Sequence, residues 1–352
     1  MQDFSERLVT WYLEKKRDLP WRNTKNPYKI WLSEIILQQT RVAQGLPYYY
    51  KFIENFPTVH TLANAEEQEV LRLWQGLGYY SRARNLHAAA KYVVDELDGK
   101  FPENYTELKK LKGVGDYTAA AIASFAFGEK VAVVDGNVYR VLARLFGIDV
   151  DINSTKGKKN FNELANELIP SQNPDMHNQA MMEFGALQCT PANPDCMFCP
   201  FTTECDARLT QRQNILPVKI KKVKQKKRYF NYFVINDGDK YYLKERKSGD
   251  IWQGLYDFPL IVTDKPLEPQ EFILKYFKVH VEDPSLISIS KEYKHILTHQ
   301  IIYSKFFIID QTIIKNINLF LTKNSVKLYT IKKIKALPKP VLINKYLKEH
   351  IF

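Results

Sequence analysis

LKGVGDYTAAAIASFAFGEKVAVVD, residues Leu111 to Asp135, is the stretch on which the fold turns. Gly113 and Gly115 frame a Gly-Val-Gly turn, an Ala-rich apolar helix follows, and Asp135 opens the next helix. Glycine admits positive φ and has no Cβ to obstruct a close neighbour. Peptide N–H groups at the start of the following helix would face outward, backed by the positive end of its dipole. Such a turn is an anion site that fits a nucleic-acid phosphate. Taken alone, the same turn also reads as an ordinary helical hairpin closed by a glycine C-cap.

Outward from this hairpin the pattern stays helical. Residues 1–20 read as one helix closed by Leu19-Pro20, and a second runs from Asn26-Pro27 through IWLSEIILQQT. Further helices are expected over Arg82 to Leu97, Asn104 to Leu111, Tyr117 to Phe127, Gly136 to Phe146, Phe161 to Ile169 and Gln179 to Leu187. With little period-2 alternation, residues 1–210 predict an all-helical domain. Residues 211–228 read as a linker, and its end, KIKKVKQKKR at 219–228, holds seven basic residues in ten. Like charges in a block repel and stay extended, and they can also track a phosphate backbone. Beyond it, YFNYFVIN, KYYLKER, SLISISK, IIYSKFFIID and SVKLYTIKK are β-type runs, with helices around Glu268 to Phe277 and Pro340 to Glu349. Residues 229–352 therefore predict a separate α+β domain, making the chain multi-domain.

Composition agrees with a nucleic-acid partner. The 352 residues carry 51 Lys and Arg against 39 Asp and Glu, a formal charge of +12, and 45% are hydrophobic, ample for globular cores. The N-terminus reads as an amphipathic helix without an apolar signal region, and no apolar run approaches a membrane span. The expectation is a soluble, intracellular protein with no membrane partner.

Two carboxylates stand out. Glu34 has Ile30, Trp31, Leu37 and Gln38 as helical neighbours, a mostly apolar surrounding in which desolvation would keep it protonated near neutral pH; it reads equally as a partly exposed residue at the edge of an apolar stripe. Asp135 reads as a plain N-cap, yet it follows the apolar run 131–134 and could emerge into a cleft. Two such carboxylates can divide an N-glycosidic cleavage, one protonating the leaving base and one stabilising the cationic sugar. All four cysteines fall in Cys189-x6-Cys196-x2-Cys199-x5-Cys205. That clustering indicates a metal site rather than disulfides. Zinc usually takes two close Cys pairs, whereas one close pair with wider flanks also suits an iron–sulfur cluster. Gln38, Gln39, Tyr79 and Tyr80 lie beside turns, where planar side chains can wedge between bases or simply pack at a helix junction.

Together these residues resemble the helix-hairpin-helix glycosylase superfamily, through LKGVGDYTAAA at 111–121, VVDGNVYRVLAR at 133–144 and the cysteine loop. Within it they resemble the MutY-type adenine DNA glycosylases, through PWR at 20–22, WLSEIILQQT at 31–40, WQGLGYYSRARN at 74–85 and NQAMMEFGALQCTP at 178–191. The resemblance implies a [4Fe-4S] cluster on Cys189, Cys196, Cys199 and Cys205. It implies that Glu34 is the general acid, Asp135 the carboxylate facing the oxocarbenium-like sugar and Asn137 its support. Glu183 would belong to the adenine pocket, Gln39 and Tyr79 would intercalate, and Gly113 and Gly115 would grip the backbone. Bifunctional relatives of the endonuclease III type carry a Schiff-base lysine where this chain has Tyr117, which implies a monofunctional enzyme with Tyr117 hydrogen-bonding in the pocket.

The second domain resembles the Nudix-like lesion-recognition domain of the same family, through WQGLYDFP at 252–259 and HILTH at 295–299. The family's Phe-Ser-His becomes Leu297-Thr298-His299, so Thr298 and His299 are expected to read the lesion without the aromatic wedge. The acidic helix of a metal-dependent Nudix hydrolase is missing from the sequence. The implied partner is double-stranded DNA with an A:8-oxoguanine or A:G mispair, and the implied protein is a monomer in the cytoplasm, at the nucleoid if bacterial. A bifunctional glycosylase/lyase and a catalytically silent damage-binding protein are the rival readings.

Overall fold

Helix signals crowd the first 210 residues, and the computed structural model, which describes residues 2–220, 225–276, 283–314 and 325–352, is helical throughout that stretch. The helices are α1 (Gln2–Lys15), α2 (Pro27–Leu37), α3 (Val42–Asn55), α4 (Val59–Ala63), α5 (Glu67–Leu73), α6 (Ser81–Leu97), α7 (Tyr105–Leu108), α8 (Asp116–Phe127), α9 (Gly136–Leu145), α10 (Thr155–Leu168), α11 (Pro174–Leu187) and α12 (Asp206–Leu209). Local chemistry sets several ends. Asn26 caps α2 by accepting from the Lys29 N–H, with Pro27 in the first helical position. Gly128 ends α8 in the left-handed conformation at φ 72°, and the chain there returns N–H groups to Ala123 and Ser124.

The first helix stops at Lys15 rather than near residue 20. Leu19 precedes a proline and is extended, at φ −126° and ψ 130°. The Arg17 N–H also leaves the helical ladder and donates to Glu183 Oε1 at 2.9 Å. In contrast, α10 and α11 start earlier than expected. Ser154 caps the polar first turns of α10, and Pro174 opens α11 after Asn173 turns through φ 52°.

Contacts divide the chain into two units, residues 1–64 with 85–221, and residues 65–84 with 222–352. In the first, α1, α9, α10 and α11 enclose a core that includes Trp11, Phe161, Phe184 and Phe201. Helix α2 packs on α8 and is buried from Tyr28 to Ile36 apart from Lys29, a pattern of a helix enclosed on most sides. In α8 the run Thr118–Phe125 is wholly buried, and its four alanines keep that packing close.

The second unit holds a mixed sheet of β1 (Lys226–Asp237), β2 (Lys240–Glu245), β3 (Tyr256–Asp257), β4 (Leu260–Thr263), β5 (Ser288–Ile289), β6 (Tyr293–Ile296), β7 (Gln300–Asp310) and β8 (Lys327–Thr330). The order is β3-β2-β1-β7-β5, with β4 on β1, β6 on β7 and β8 on β2. The long strands β1 and β7 run parallel from Lys226↔Gln300 to Asn236↔Asp310. Alternation sends Phe230, Tyr232, Val234 and Phe306 to one face, and Phe233, Ile235 and Phe307 to the other. Helices α13 (Pro269–Tyr276), α14 (Ile331–Ala336) and α15 (Val341–His350) complete this unit. The expected run 325–333 changes character at Thr330, whose hydroxyl accepts from the Lys333 N–H and starts α14. The basic stretch is not all linker: Lys226 to Arg228 open β1, while 221–224 lie outside the described residues, as does Phe277. Among the described residues no helix is long and apolar enough to cross a membrane.

An ion network running from the buried Asp257 to the exposed Asp250 holds the turn between β2 and β3. Arg246 donates to Asp257 at 2.7 Å and to Asp250 at 3.0 Å, and Arg228 donates to both oxygens of Asp250 at 2.7 Å. Burial raises the Asp257 carboxyl to about 6, against the pull of Arg246. Removing one partner strands the other charge, so Asp257→Ala is expected to destabilise the protein by about 3–5 kcal/mol, read from urea midpoints. A loss below about 1 kcal/mol, the scale of a surface pair, would contradict this account.

Candidate active site

Four helices of the first unit each contribute acidic or polar side chains to one cavity of about 180 Å³. Glu34 comes from α2, Tyr117 from α8, Asn137 from α9 and Glu183 from α11, with Asp135 at the cap of α9. The structure thus brings together five residues singled out in the sequence. Arg17 also lines the cavity and carried no distinct sequence signal, whereas Trp21, Arg22, Gln179 and Met182 line it too and lie within the quoted PWR and NQAMMEFGALQCTP, where no role was assigned to them.

The three carboxylates are electrostatically distinct. Glu34 is 5% exposed. Burial pushes its carboxyl up to about 7; a hydrogen bond with Tyr117 and the charge of Arg22 oppose the rise, and Asp135 adds to it. Asp135 is both an N-cap and a cavity wall. It accepts from the Asn137 and Val138 N–H groups and from Asn137 Nδ2, each at 2.8 Å. Burial raises it too, while these donors and the charge of Arg140 oppose the rise. Burial would also raise Glu183, yet hydrogen bonds from Arg17 and Arg22 overcome it and bring the carboxyl down to about 2. Its oxygens receive Arg17 N, Nε and Nη2 and Arg22 Nη1 and Nη2 at 2.6–3.0 Å. Glu183 is a fixed anion that clamps two arginines at the cavity wall. Tyr117 is raised well above its ordinary value by burial and the nearby carboxylates, so its hydroxyl stays a neutral donor.

From Asp135 a chain of hydrogen bonds reaches the cysteine loop. Arg140 Nη2 donates to Asn137 Oδ1 at 2.8 Å and to the Gly185 carbonyl at 2.6 Å, and its Nε donates to the Cys189 carbonyl at 2.7 Å. Gly185 is required there, because a Cβ would lie 2.6 Å from Asn137 Cβ. All four cysteines line a second cavity with Arg144, Arg208, Phe184 and Phe201. Arg144 places Nη1 3.4 Å from Cys189 Sγ and binds the Thr190 and Pro191 carbonyls at 2.7 and 3.1 Å. Burial raises Cys196, Cys199 (to about 12) and Cys205, with the neighbouring cysteines adding to the rise. Among the described residues no three His, Cys, Asp or Glu gather around a point as one metal ion requires.

The hairpin glycines differ in what they demand. Gly113 has φ 82°, and a Cβ there would meet Asn85 Cβ at 2.8 Å. Gly115 has φ −97° and open space where a Cβ would stand, so nothing among the described residues requires it; a close phosphate would. Gln39 is exposed at φ 55°, an uncommon conformation for its residue type. In the second unit, Tyr79, Thr298 and His299 line one cavity of about 590 Å³ with Trp252 and Leu297. The Tyr79 and Thr298 hydroxyls are hydrogen-bonded, and Tyr79 is 44% exposed at φ 46°.

Comparison with known proteins fits this geometry. Residues 32–171 match the family described as HhH-GPD superfamily base excision DNA repair protein, and residues 231–349 match the NUDIX domain. The adenine DNA glycosylase of Buchnera aphidicola subsp. Baizongia pistaciae is 34% identical over 349 residues, covering 98% of this chain and 95% of that protein. The human adenine DNA glycosylase is 45% identical over 222 residues, 60% of this chain and 41% of its own length. Among solved structures, a thermostable thymine-DNA glycosylase aligns with TM-score 0.55 and 31% identity, over 59% of this chain and 96% of its own. Endonuclease III in a non-covalent DNA complex shares the fold at TM-score 0.52 and 22% identity, over 60% and 96%.

The Glu34 carboxyl binds its proton more tightly folded, at about 7, than at its ordinary 4.5. The folded state therefore loses stability as pH rises from about 4.5 through 7, since only there does the native form hold the extra proton. Glu34→Gln removes that penalty. It is expected to stabilise the protein by up to about 3 kcal/mol at pH 8 and by little at pH 5, measured by denaturant unfolding. Equal effects at both pH values would mean that Glu34 is not desolvated.

Proposed function

The chain belongs to the adenine DNA glycosylases of the helix-hairpin-helix base-excision superfamily, and from that premise we propose that it hydrolyses the N-glycosidic bond of adenine facing 8-oxoguanine or guanine in double-stranded DNA. The observation that carries the reading is the buried Glu34, with a carboxyl near 7, sharing a cavity with the hydrogen-bonded Asp135. The net positive chain binds the duplex, with a phosphate at the Gly113–Gly115 turn. Adenine leaves the stack, at a cost of a few kcal/mol that is smaller at a mispair. Gln39 and Tyr79 fill the vacated stack. In the cavity Arg17 and Arg22, oriented by Glu183, face the base.

Glu34 donates its proton to a ring nitrogen of adenine, and the C1′–N9 bond breaks with its electron pair leaving on the base. The Asp135 anion, supported by Asn137, stabilises the oxocarbenium-like sugar. The Glu34 carboxylate then takes a proton from the water that attacks C1′, leaving an abasic site and regenerating the acid. Monofunctional chemistry is favoured because no lysine lines the cavity among the described residues, and the neutral Tyr117 phenol is no amine.

In the second unit Thr298 and His299 read 8-oxoguanine, with Leu297 in place of an aromatic wedge. Cys189, Cys196, Cys199 and Cys205 would hold a [4Fe-4S] cluster. The fit rests on four sulfurs spread around one cavity, with Arg144 and Arg208 beside the thiolates. A cuboidal cluster takes one thiolate per iron corner, which matches the four cysteines lining this cavity. Bound there, the cluster supplies a rigid centre for the loop that receives Arg140. A monomeric state and a cytoplasmic location complete the proposal.

A duplex with one end-labelled adenine strand opposite 8-oxoguanine tests the chemistry. Cutting at adenine mainly after alkali is expected; equal cutting without alkali would indicate a lyase, and binding without any cut a silent damage-binding protein. Iron and sulfide analysis of the purified protein is expected to find both, and zinc in their place would overturn the cluster.

A further inference from the structure

Lys339 is a buried cation that the chemistry above does not use. It is 1% exposed, between Pro338 and Pro340. Its ammonium donates to the Leu337 carbonyl at 2.6 Å and to the Ile334 carbonyl, two acceptors at the C-terminal end of α14, where a cation is favourable. Its backbone faces the other way. The Lys339 N–H donates to Gln75 Oε1 at 3.1 Å, and its carbonyl accepts from the Tyr80 hydroxyl at 3.4 Å. The preceding Pro338 carbonyl accepts the Tyr256 N–H of β3 at 2.9 Å. One short segment thus ties the sheet and α14 to the turn between α5 and α6.

That turn carries Tyr79, and it is braced from within. Gly76, Gly78 and Tyr79 all have positive φ, at 113°, 76° and 46°. The buried Trp74 donates Nε1 to the Gly78 carbonyl at 3.0 Å. Arg82 lies over the Trp74 ring at 5.1 Å and the Tyr79 ring at 5.7 Å. A turn braced this way moves as a body, so the direction of Tyr79 depends on where the body is anchored. Its anchors are Gln68 on Glu245 and Gly254, Arg84 on the Gln253 carbonyl, and Gln75 and Tyr80 on Lys339. The Lys339 pair brackets Tyr79 in sequence on both sides.

We propose that Lys339 is a positioning residue for opposite-base discrimination: its ammonium fixes the segment on α14, and the backbone N–H and carbonyl of Lys339 then hold the Gln75–Tyr80 turn so that the Tyr79 ring stands beside Thr298. The proposal rests on the reading of Thr298, His299 and Tyr79 as the 8-oxoguanine reader. Lys339 touches no substrate and acts through the turn. Loss of the anchor leaves the cavity of Glu34 and Asp135 intact but loosens Tyr79.

The test compares single-turnover adenine excision opposite 8-oxoguanine and opposite guanine in the full-length protein, for wild type, Lys339→Met and Gln75→Leu. Both variants are expected to lose about tenfold of the 8-oxoguanine preference while the rate opposite guanine stays within about twofold. Unchanged preference in folded variants would overturn the proposal. Equal loss of both rates would also overturn it, since that is a general structural effect. If Lys339→Met does not fold, Gln75→Leu decides alone, because it cuts the same anchor without touching the buried charge. Wild type without any 8-oxoguanine preference would refute the underlying reading, and that result is visible before any variant is compared.

Discussion

A carboxylic acid taken out of water without a full countercharge is the constraint around which the first unit is built. Glu34 costs stability at neutral pH, because burial opposes its ionisation and only Tyr117 and Arg22 favour it. A surface glutamate would be ionised and useless as an acid at pH 7. The same desolvation that weakens the fold provides the proton the reaction needs.

Other parts of the unit follow from holding that group in place. Helix α2 is enclosed almost all round, so Glu34 cannot swing out to solvent. The small residues of α8 let Tyr117 approach it. Asp135 is kept apart electrically by its own donors, and the Asn137–Arg140 chain ties those donors to the Cys189 carbonyl. Glu183 plays the opposite part to Glu34. Equally buried, it is filled by two arginines and remains ionised. Environment alone gives the carboxyl groups of one cavity different proton affinities, with Glu34 raised by burial and Glu183 lowered by its two arginines.

Much of this was legible in the sequence. Glu34 stood out because its helical neighbours are apolar, and Asp135 because an N-cap follows an apolar run. The cysteine loop and the long strands β1 and β7 were readable from spacing and alternation. What escaped was long-range. The Arg17 N–H leaves its helix for a carboxylate more than 160 residues away, and nothing near Arg17 announces it. Strands β3, β4 and β6 span two to four residues, too few to show a period. Residues 65–84 read as ordinary helical chain, yet they belong with the sheet, because their partners Glu245, Gln253 and Lys339 lie far along the sequence.

The most direct test of the central claim is the Glu34 titration itself. Protein labelled with ¹³C at glutamate side-chain carboxyls would be followed by NMR across pH, with Glu34→Gln assigning the resonance. A midpoint of about 7 is expected. A midpoint near the ordinary 4.5 would show a solvated, ionised carboxylate and remove the proton donor from the mechanism.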